Sequence, residues 1–190
     1  MSIVDQMIKG EDFTPSEIRF IESKFKTVSF KKGDVILKAG DQTTHQYYVH
    51  DGCLRTFFID YSGKEHTLQF AVKDWWISDY TAFFDQENAI LTIECLEEAI
   101  LYKVFRKDLE LIYKEIPKVE TYFRKKLEKA FSSFQNRILS NLANPAKARY
   151  LDFITTYPDI EAKIKNYHIA SYLGITTESL SRIRKELVNH

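Results

Sequence analysis

The chain has 190 residues, enough for one medium domain or two small ones with a real core. Hydrophobic residues make up 44% and charged residues 28%, a globular balance that speaks against bulk disorder. No uncharged apolar run approaches the roughly 18 residues of a membrane span. Lysine and arginine number 27 against 27 aspartates and glutamates, so the formal net charge is +0. That zero hides a segregation: residues 1–116 carry 14 basic and 20 acidic side chains, whereas residues 117–190 carry 13 and 7. An acidic front joined to a basic back suits a chain of which one part meets a polyanion. The start, MSIVDQMIKGEDF, is polar and mixed rather than a leader. Only Cys53 and Cys95 are present, which provides neither a disulfide framework nor a Cys-x-x-Cys metal site. A cytoplasmic protein without a membrane partner is expected.

In chain order, Thr14-Pro15-Ser16-Glu17 is a capping box with proline at the first helical position, predicting a helix through Phe25. From Val28 to Val104 the sequence reads as short β-rich runs broken by turn residues, including DVILKAGD (34–41), HTLQFAV (66–72) and AILTIECLEEAILYKV (89–104). Asp51-Gly52 and Ser62-Gly63 are hairpin signals, because glycine accepts the positive φ of tight turns. Many short strands predict a sandwich, roll or barrel. Lys107–Tyr113 reads as a short helix, and Pro117 opens a much longer one to about Leu142, with no internal glycine or proline. Asn144-Pro145 starts another, ending before Tyr157-Pro158.

Along the long helix Phe123, Leu127, Ala130, Phe134 and Ile138 step by four, three, four and four. That spacing makes one apolar stripe close to a coiled-coil seam. It predicts either packing on the β domain or pairing with a second copy, and the length of the stripe favours a homodimer.

Residues 169–187, IASYLGITTESLSRIRKEL, carry the most information. Ile169, Ala170 and Leu173 make the apolar face of a first helix, and Gly174 stands where a sharp inter-helix turn needs left-handed geometry. Thr176 is a natural N-cap, and Leu180, Ile183 and Leu187 form the buried face of a second helix. This is a helix-turn-helix pattern. Its outward residues are suited to double-stranded DNA: Thr177, Glu178, Ser179 and Arg182 to base edges, and Ser171, Thr176, Ser181, Arg184 and Lys185 to phosphates. Arg182 can grip guanine O6 and N7, while Glu178 can accept from a cytosine amino group.

With these pieces in place the chain resembles the Crp/Fnr family of bacterial transcription regulators. GDVILKAGD (33–41), YYVHDGCLR (47–55) and GKEHTLQF (63–70) look like its β-roll turns and strands, and TTESLSRI (176–183) like its recognition helix. The resemblance implies an α+β fold in which 1–116 form a cyclic-nucleotide-binding-like jelly roll and 117–143 a dimerisation helix. Residues 144–190 would form a winged helix-turn-helix. It implies homodimers that bind DNA, a possible small-molecule effector, and RNA polymerase as a candidate partner. Because the given sequence stops at His190, any wing is expected around Ile160–Tyr167.

The sequence departs from the cyclic-AMP-binding members, which carry a Gly-Glu pair and later an Arg-Ser or Arg-Thr pair. The matching stretches here are Trp75-Trp76-Ile77-Ser78-Asp79 and Ala89-Ile90-Leu91-Thr92, and no arginine lies between Arg55 and Arg106. A buried phosphate without a cation is costly, so cyclic-nucleotide binding in the usual mode is not expected. Trp75, Trp76, Ser78, Asp79 and Tyr80 are candidates for a different effector pocket or simply for closing the roll. No cofactor or catalytic residue is evident: two distant cysteines cannot hold an iron–sulfur cluster within one chain. Two alternatives remain open. One is a ligand-sensing module acting through protein partners; the other is a jelly-roll metalloenzyme, for which His45, His50 and His66 are the candidates, without a His-x-His.

Overall fold

The computed structural model describes residues 2–188. They form two compact units, one running to Phe58 and including Gln69–Leu127, the other comprising Ile59–Leu68 and Glu128 onward.

Two short helices, α1 (Ile3–Met7) and α2 (Pro15–Lys24), precede the strands. The Thr14 capping box forms as its sequence predicts, with the hydroxyl accepting from the Glu17 amide and the Glu17 carboxylate accepting from the Thr14 amide. Eight strands then build two four-stranded sheets. The first orders β1 (Phe25–Phe30), β8 (Ala99–Phe105), β3 (His45–Asp51) and β6 (Trp76–Ile77), all antiparallel. The second orders β2 (Val35–Leu37), β7 (Thr92–Cys95), β4 (Leu54–Ile59) and β5 (Glu65–Ala71). Helix α3 (Tyr80–Asp85) follows β6, and α4 (Arg106–Glu115) follows β8. The expected α+β architecture, a β-roll with helices on either side of it in sequence, is present.

Strand alternation gives the first sheet two apolar faces. One buries Val49 and Leu101 against Leu54, Ala71 and Ile93 of the second sheet. The other presents Phe25, Tyr48, Tyr102 and Val104 to the helices, where they meet Met7, Ile21, Leu109, Ile112 and Phe123. Each such burial contributes about 1.5–3 kcal/mol.

Of the two expected hairpins, the one at Ser62-Gly63 joins neighbouring strands β4 and β5. Asp51-Gly52 does not make a hairpin: β3 and β4 lie in different sheets, and the chain crosses between them here. Gly52 is required twice over. Its φ is +98°, and a Cβ would stand 2.5 Å from the Glu98 carbonyl oxygen and 2.8 Å from the Ala99 Cα. Both obstacles are backbone. Gly52→Ala is therefore expected to cost about 2–4 kcal/mol, from left-handed strain plus overpacking, read as a lower denaturation midpoint at unchanged m-value.

Helix α5 (Pro117–Ala143) is the long helix, and α6 (Ala146–Thr156), α7 (Asn166–Leu173) and α8 (Thr177–Val188) follow. The second unit has its own core of Tyr150, Phe153, Tyr157, Ile160, Ile169, Leu173, Leu180 and Ile183. The wing expected around Ile160–Tyr167 is absent as strand: residues 158–163 form turns, and no strand follows Phe105 among the described residues. Ile160 is instead 2% exposed and serves the helical core.

Candidate nucleic-acid interface

The turn between α7 and α8 is built by Gly174. With φ 65° and ψ 33° it terminates α7, its amide donating to the carbonyls of Ala170 and Ser171. The Ile175 amide reaches back to the Ala170 carbonyl at 3.0 Å, closing the six-to-one bond of a Schellman motif. Helix α8 then starts on Thr176, whose hydroxyl accepts from the Ser179 amide at 3.2 Å. Leu180 and Ile183 turn inward, as their spacing predicts, and Glu178, Ser181, Arg182 and Lys185 are exposed. Thr177 and Ser179 are half-buried at the start of the helix.

Glu178 is preorganised as an acceptor. Its own backbone amide, then the hydroxyls of Thr176 and Thr177, hold its carboxyl below the usual range. At neutral pH it can only accept hydrogen bonds, which matches a base-edge amino group.

Two of the residues expected on phosphates are placed otherwise. The Ser171 hydroxyl donates to the Glu65 carbonyl and accepts from the Thr67 amide, both at 2.8 Å. Its single proton is spent within the protein. Arg184 lies 2.7 Å from the Glu161 carboxylate through Nε and 2.8 Å from the Asn166 side-chain oxygen through Nη1. It ties α8 to the turn segment and to the start of α7. Thr176 is the cap already described. Ser181 and Lys185 are exposed.

Sequence reading missed Arg137. Its guanidinium donates to the carbonyls of Leu68, Thr67 and Tyr172, and its plane lies 4.0 Å over the Tyr172 ring. Nothing in the spacing of the long helix marks this arginine out from its basic neighbours.

The stripe on α5 divides. Phe123 is a correction: it is buried in the core of the first unit, 4.7 Å from the Trp76 ring centroid and 5.7 Å from that of Tyr113. From Leu127 onward the apolar residues are uncovered: Leu127 is 42% exposed, Phe134 44% and Ile138 48%. Ala130 is exposed too. Phe131, Leu139 and Leu142, not on the expected stripe, are 61–81% exposed.

The five candidates for an effector pocket do not share one. Trp75 packs toward the core between the sheets, and Trp76 toward the helices. The Ser78 hydroxyl donates to the His45 carbonyl, and Tyr80 stacks on Phe84. Asp79 is 0% exposed and fully engaged: it caps α3 through the Ala82 amide and accepts from the amides of Ile90 and Leu91 at 2.8 and 3.0 Å. The metal candidates are also separate. His66 pairs with Asp60, His50 stacks on Tyr102, and His45 bonds to the Thr44 hydroxyl. The Cys95 thiol is buried, and desolvation followed by Asp34 and Glu94 pushes it up to about 12.

Residues 27–115 match the family model of the cyclic nucleotide-binding domain. The chain is 22% identical to the anaerobic regulatory protein of Aggregatibacter actinomycetemcomitans, over 80% of this chain and 63% of the relative. It thus matches less than two thirds of that protein's length. FixK2 of Bradyrhizobium japonicum has a similar structure, with TM-score 0.77 at 17% identity over 87% of this chain and 85% of that one. A putative Crp/Fnr-family regulator of Eubacterium rectale has TM-score 0.71 at 23% identity, over 94% and 85%. The chain thus shares the fold of these solved structures, and its residues 27–115 are similar to a cyclic nucleotide-binding domain.

Asp79 falls in the stretch that the sequence resemblance set against the Gly-Glu pair of cyclic-AMP-binding proteins. Here the carboxylate is consumed by three backbone amides instead. Asp79→Ala would leave those amides buried without an acceptor. The expected cost is about 2–4 kcal/mol, and chemical denaturation measures it.

Proposed function

We propose that this protein is a homodimeric, sequence-specific DNA-binding transcription regulator of the Crp/Fnr family, located in the cytoplasm and without catalytic activity of its own. The observation that carries the reading is the α7–Gly174–α8 turn, which holds Glu178 and Arg182 exposed on the first two turns of α8. The start of such a helix reaches base edges in the major groove. Thr177 and Ser179 flank these two readers, while Ser181 and Lys185 face the phosphates. Arg184 and Ser171 act within the protein, because Arg184 Nε and Nη1 hold Glu161 and Asn166 and the Ser171 hydroxyl holds Glu65 and Thr67.

The exposed stripe from Leu127 through Ile138 on α5, continued by Leu142, pairs with its copy. Two recognition helices then sit about 34 Å apart, one helical turn of DNA. In domain terms, residues 1–116 form the effector-sensing roll, 117–143 the dimerisation helix and 144–190 the DNA-binding part. The roll does not take cyclic AMP in the usual mode, since Asp79 is committed to amides and the stretch 89–92, which the resemblance sets against the phosphate-binding Arg-Ser or Arg-Thr pair, holds no arginine. RNA polymerase is the further partner such a regulator would meet. Electrophoretic mobility shift on the DNA upstream of its own coding sequence tests the reading. A shift that survives excess non-specific competitor is expected, and none at low salt would refute it.

A further inference from the structure

At one end of the first unit, the sheet face that builds the core between the sheets changes character. In register, β1, β8 and β3 present Val28, Leu101 and Val49 to that core. Two residues away along each strand, on the same face, stand Lys26, Lys103 and Tyr47, and beyond them Phe105 lies opposite His45. Lys24 from α2 and Asp108 from α4 join Lys26, His45, Lys103 and Phe105 around a cavity of about 240 Å³.

The charge of this cavity is unbalanced. Asp108 is matched by Lys24 at 3.4 Å. Lys26 and Lys103 face each other directly across the β1–β8 ladder. Neither has an ion-pair partner among the described residues. Like charges directly opposite on a sheet are destabilising. His45 adds a third nitrogen group. Burial, then Lys103 and Lys26, hold its imidazole below the usual range, and Asp108 alone opposes them. The groups facing it are thus three ammoniums and one carboxylate that is already paired. A recess with one sign of charge and an apolar wall concentrates counter-ions of the other sign.

We propose that this recess binds a small multivalent anion of the phosphate or polycarboxylate class, bridging Lys26 and Lys103 with His45 as a third donor. The cavity is smaller than the roughly 300–1,000 Å³ that holds drug-sized ligands, which suits pyrophosphate or a tricarboxylate better than a nucleotide. The anion removes the repulsion that the two lysines otherwise maintain. The site stands whether or not α8 reads DNA.

The probe is inorganic pyrophosphate added to the full chain, with chloride holding ionic strength constant. The expected result is a rise of the thermal midpoint by about 2–5 °C in the wild type. It is absent from Lys26→Gln/Lys103→Gln, whose midpoint in chloride alone equals or exceeds that of the wild type. The His45 ring proton resonances should also titrate at higher pH with pyrophosphate bound. Equal midpoint shifts in both proteins, or none beyond chloride, overturn the site. Protection by a polyglutamate peptide but not by pyrophosphate overturns it in favour of an acidic protein surface. Should the double variant misfold, calorimetric titration of the wild type and of Lys103→Gln decides. Stoichiometric binding weakened about tenfold by the single change is expected. Absence of heat in the wild type refutes the proposal.

Discussion

Replacing Phe134 and Ile138 together by glutamate is expected to convert the protein to a monomer that keeps its fold. Both side chains sit on α5, 44% and 48% exposed, so a single chain loses little when they become polar. In a dimer each copy buries them against the other, at about 1.5–3 kcal/mol for each fully buried side chain. Two copies of two residues make this a change of several kcal/mol, and the new carboxylates would also face one another across the seam. Sedimentation velocity at low micromolar concentration measures the outcome, with far-UV circular dichroism as the check on folding. Wild-type protein sedimenting as a monomer under the same conditions would remove the dimer from the reading. Leu127 and Phe131 continue the same face by steps of four and three, so glutamate there should act in the same direction. Phe123→Glu is predicted to behave differently. It puts a charge into the core of the first unit and should unfold that unit rather than separate subunits.

The second large effect is on DNA. Arg182→Ala should lower affinity for the specific site by about 1–3 kcal/mol and relax the preference at one base pair, as expected for loss of a bidentate contact to guanine. Non-specific binding and its salt dependence should change little. Lys185→Ala should do the reverse, weakening all sequences alike and making the salt slope shallower. Fluorescence anisotropy on operator and scrambled duplexes at two salt concentrations separates the two outcomes. Arg182 is exposed, so a loss of folding does not confuse the result. Arg184→Ala is the contrasting control. Its guanidinium is tied to Glu161 and Asn166, so it should act through the stability of the second unit rather than through a phosphate. An Arg182→Ala protein with unchanged affinity and preference would show that α8 does not read bases in this way.

Much of the fold is legible along the chain because its signals are local. Thr14 and Glu17 specify a helix start with two hydrogen bonds inside four residues. Pro117 opens a helix that meets no breaker before Ala143. Gly174 marks the one turn that every reading of the C-terminal part depends on, since its left-handed conformation is available to glycine at little cost. Patterns of this kind also place Leu180 and Ile183 inward and Glu178 and Arg182 outward from the sequence alone.

What the spacing could not supply is the identity of the neighbour. Phe123 and Phe134 share a helical stripe, yet one is buried in the core of the first unit and the other is uncovered. A period of 3.6 residues records which side of a helix is apolar, not what covers it. Asp51-Gly52 and Ser62-Gly63 look alike as dipeptides. Only the sheet order shows that one crosses between sheets while the other turns a hairpin. Ser171, Arg184 and Asp79 are polar residues suited to ligands by type. Partners distant in sequence (Glu65, Glu161, Ile90) commit them to the protein itself.

The net charge of zero resolves in the same way. The sequence by itself determined that an acidic roll precedes a basic helical part, and that a helix-turn-helix lies near its end. Eight of the 13 basic residues in that part fall in 117–149, ahead of α8, so charge alone never located the proposed reading surface. Tertiary structure decided which cations are free and which are spent. Arg137 and Arg184 are clamped to carbonyls and a carboxylate, while Lys26 and Lys103, nearly eighty residues apart, are brought face to face in the acidic half. Charge is additive along a chain, but its energy depends on distance and burial, and those exist only once the chain has folded.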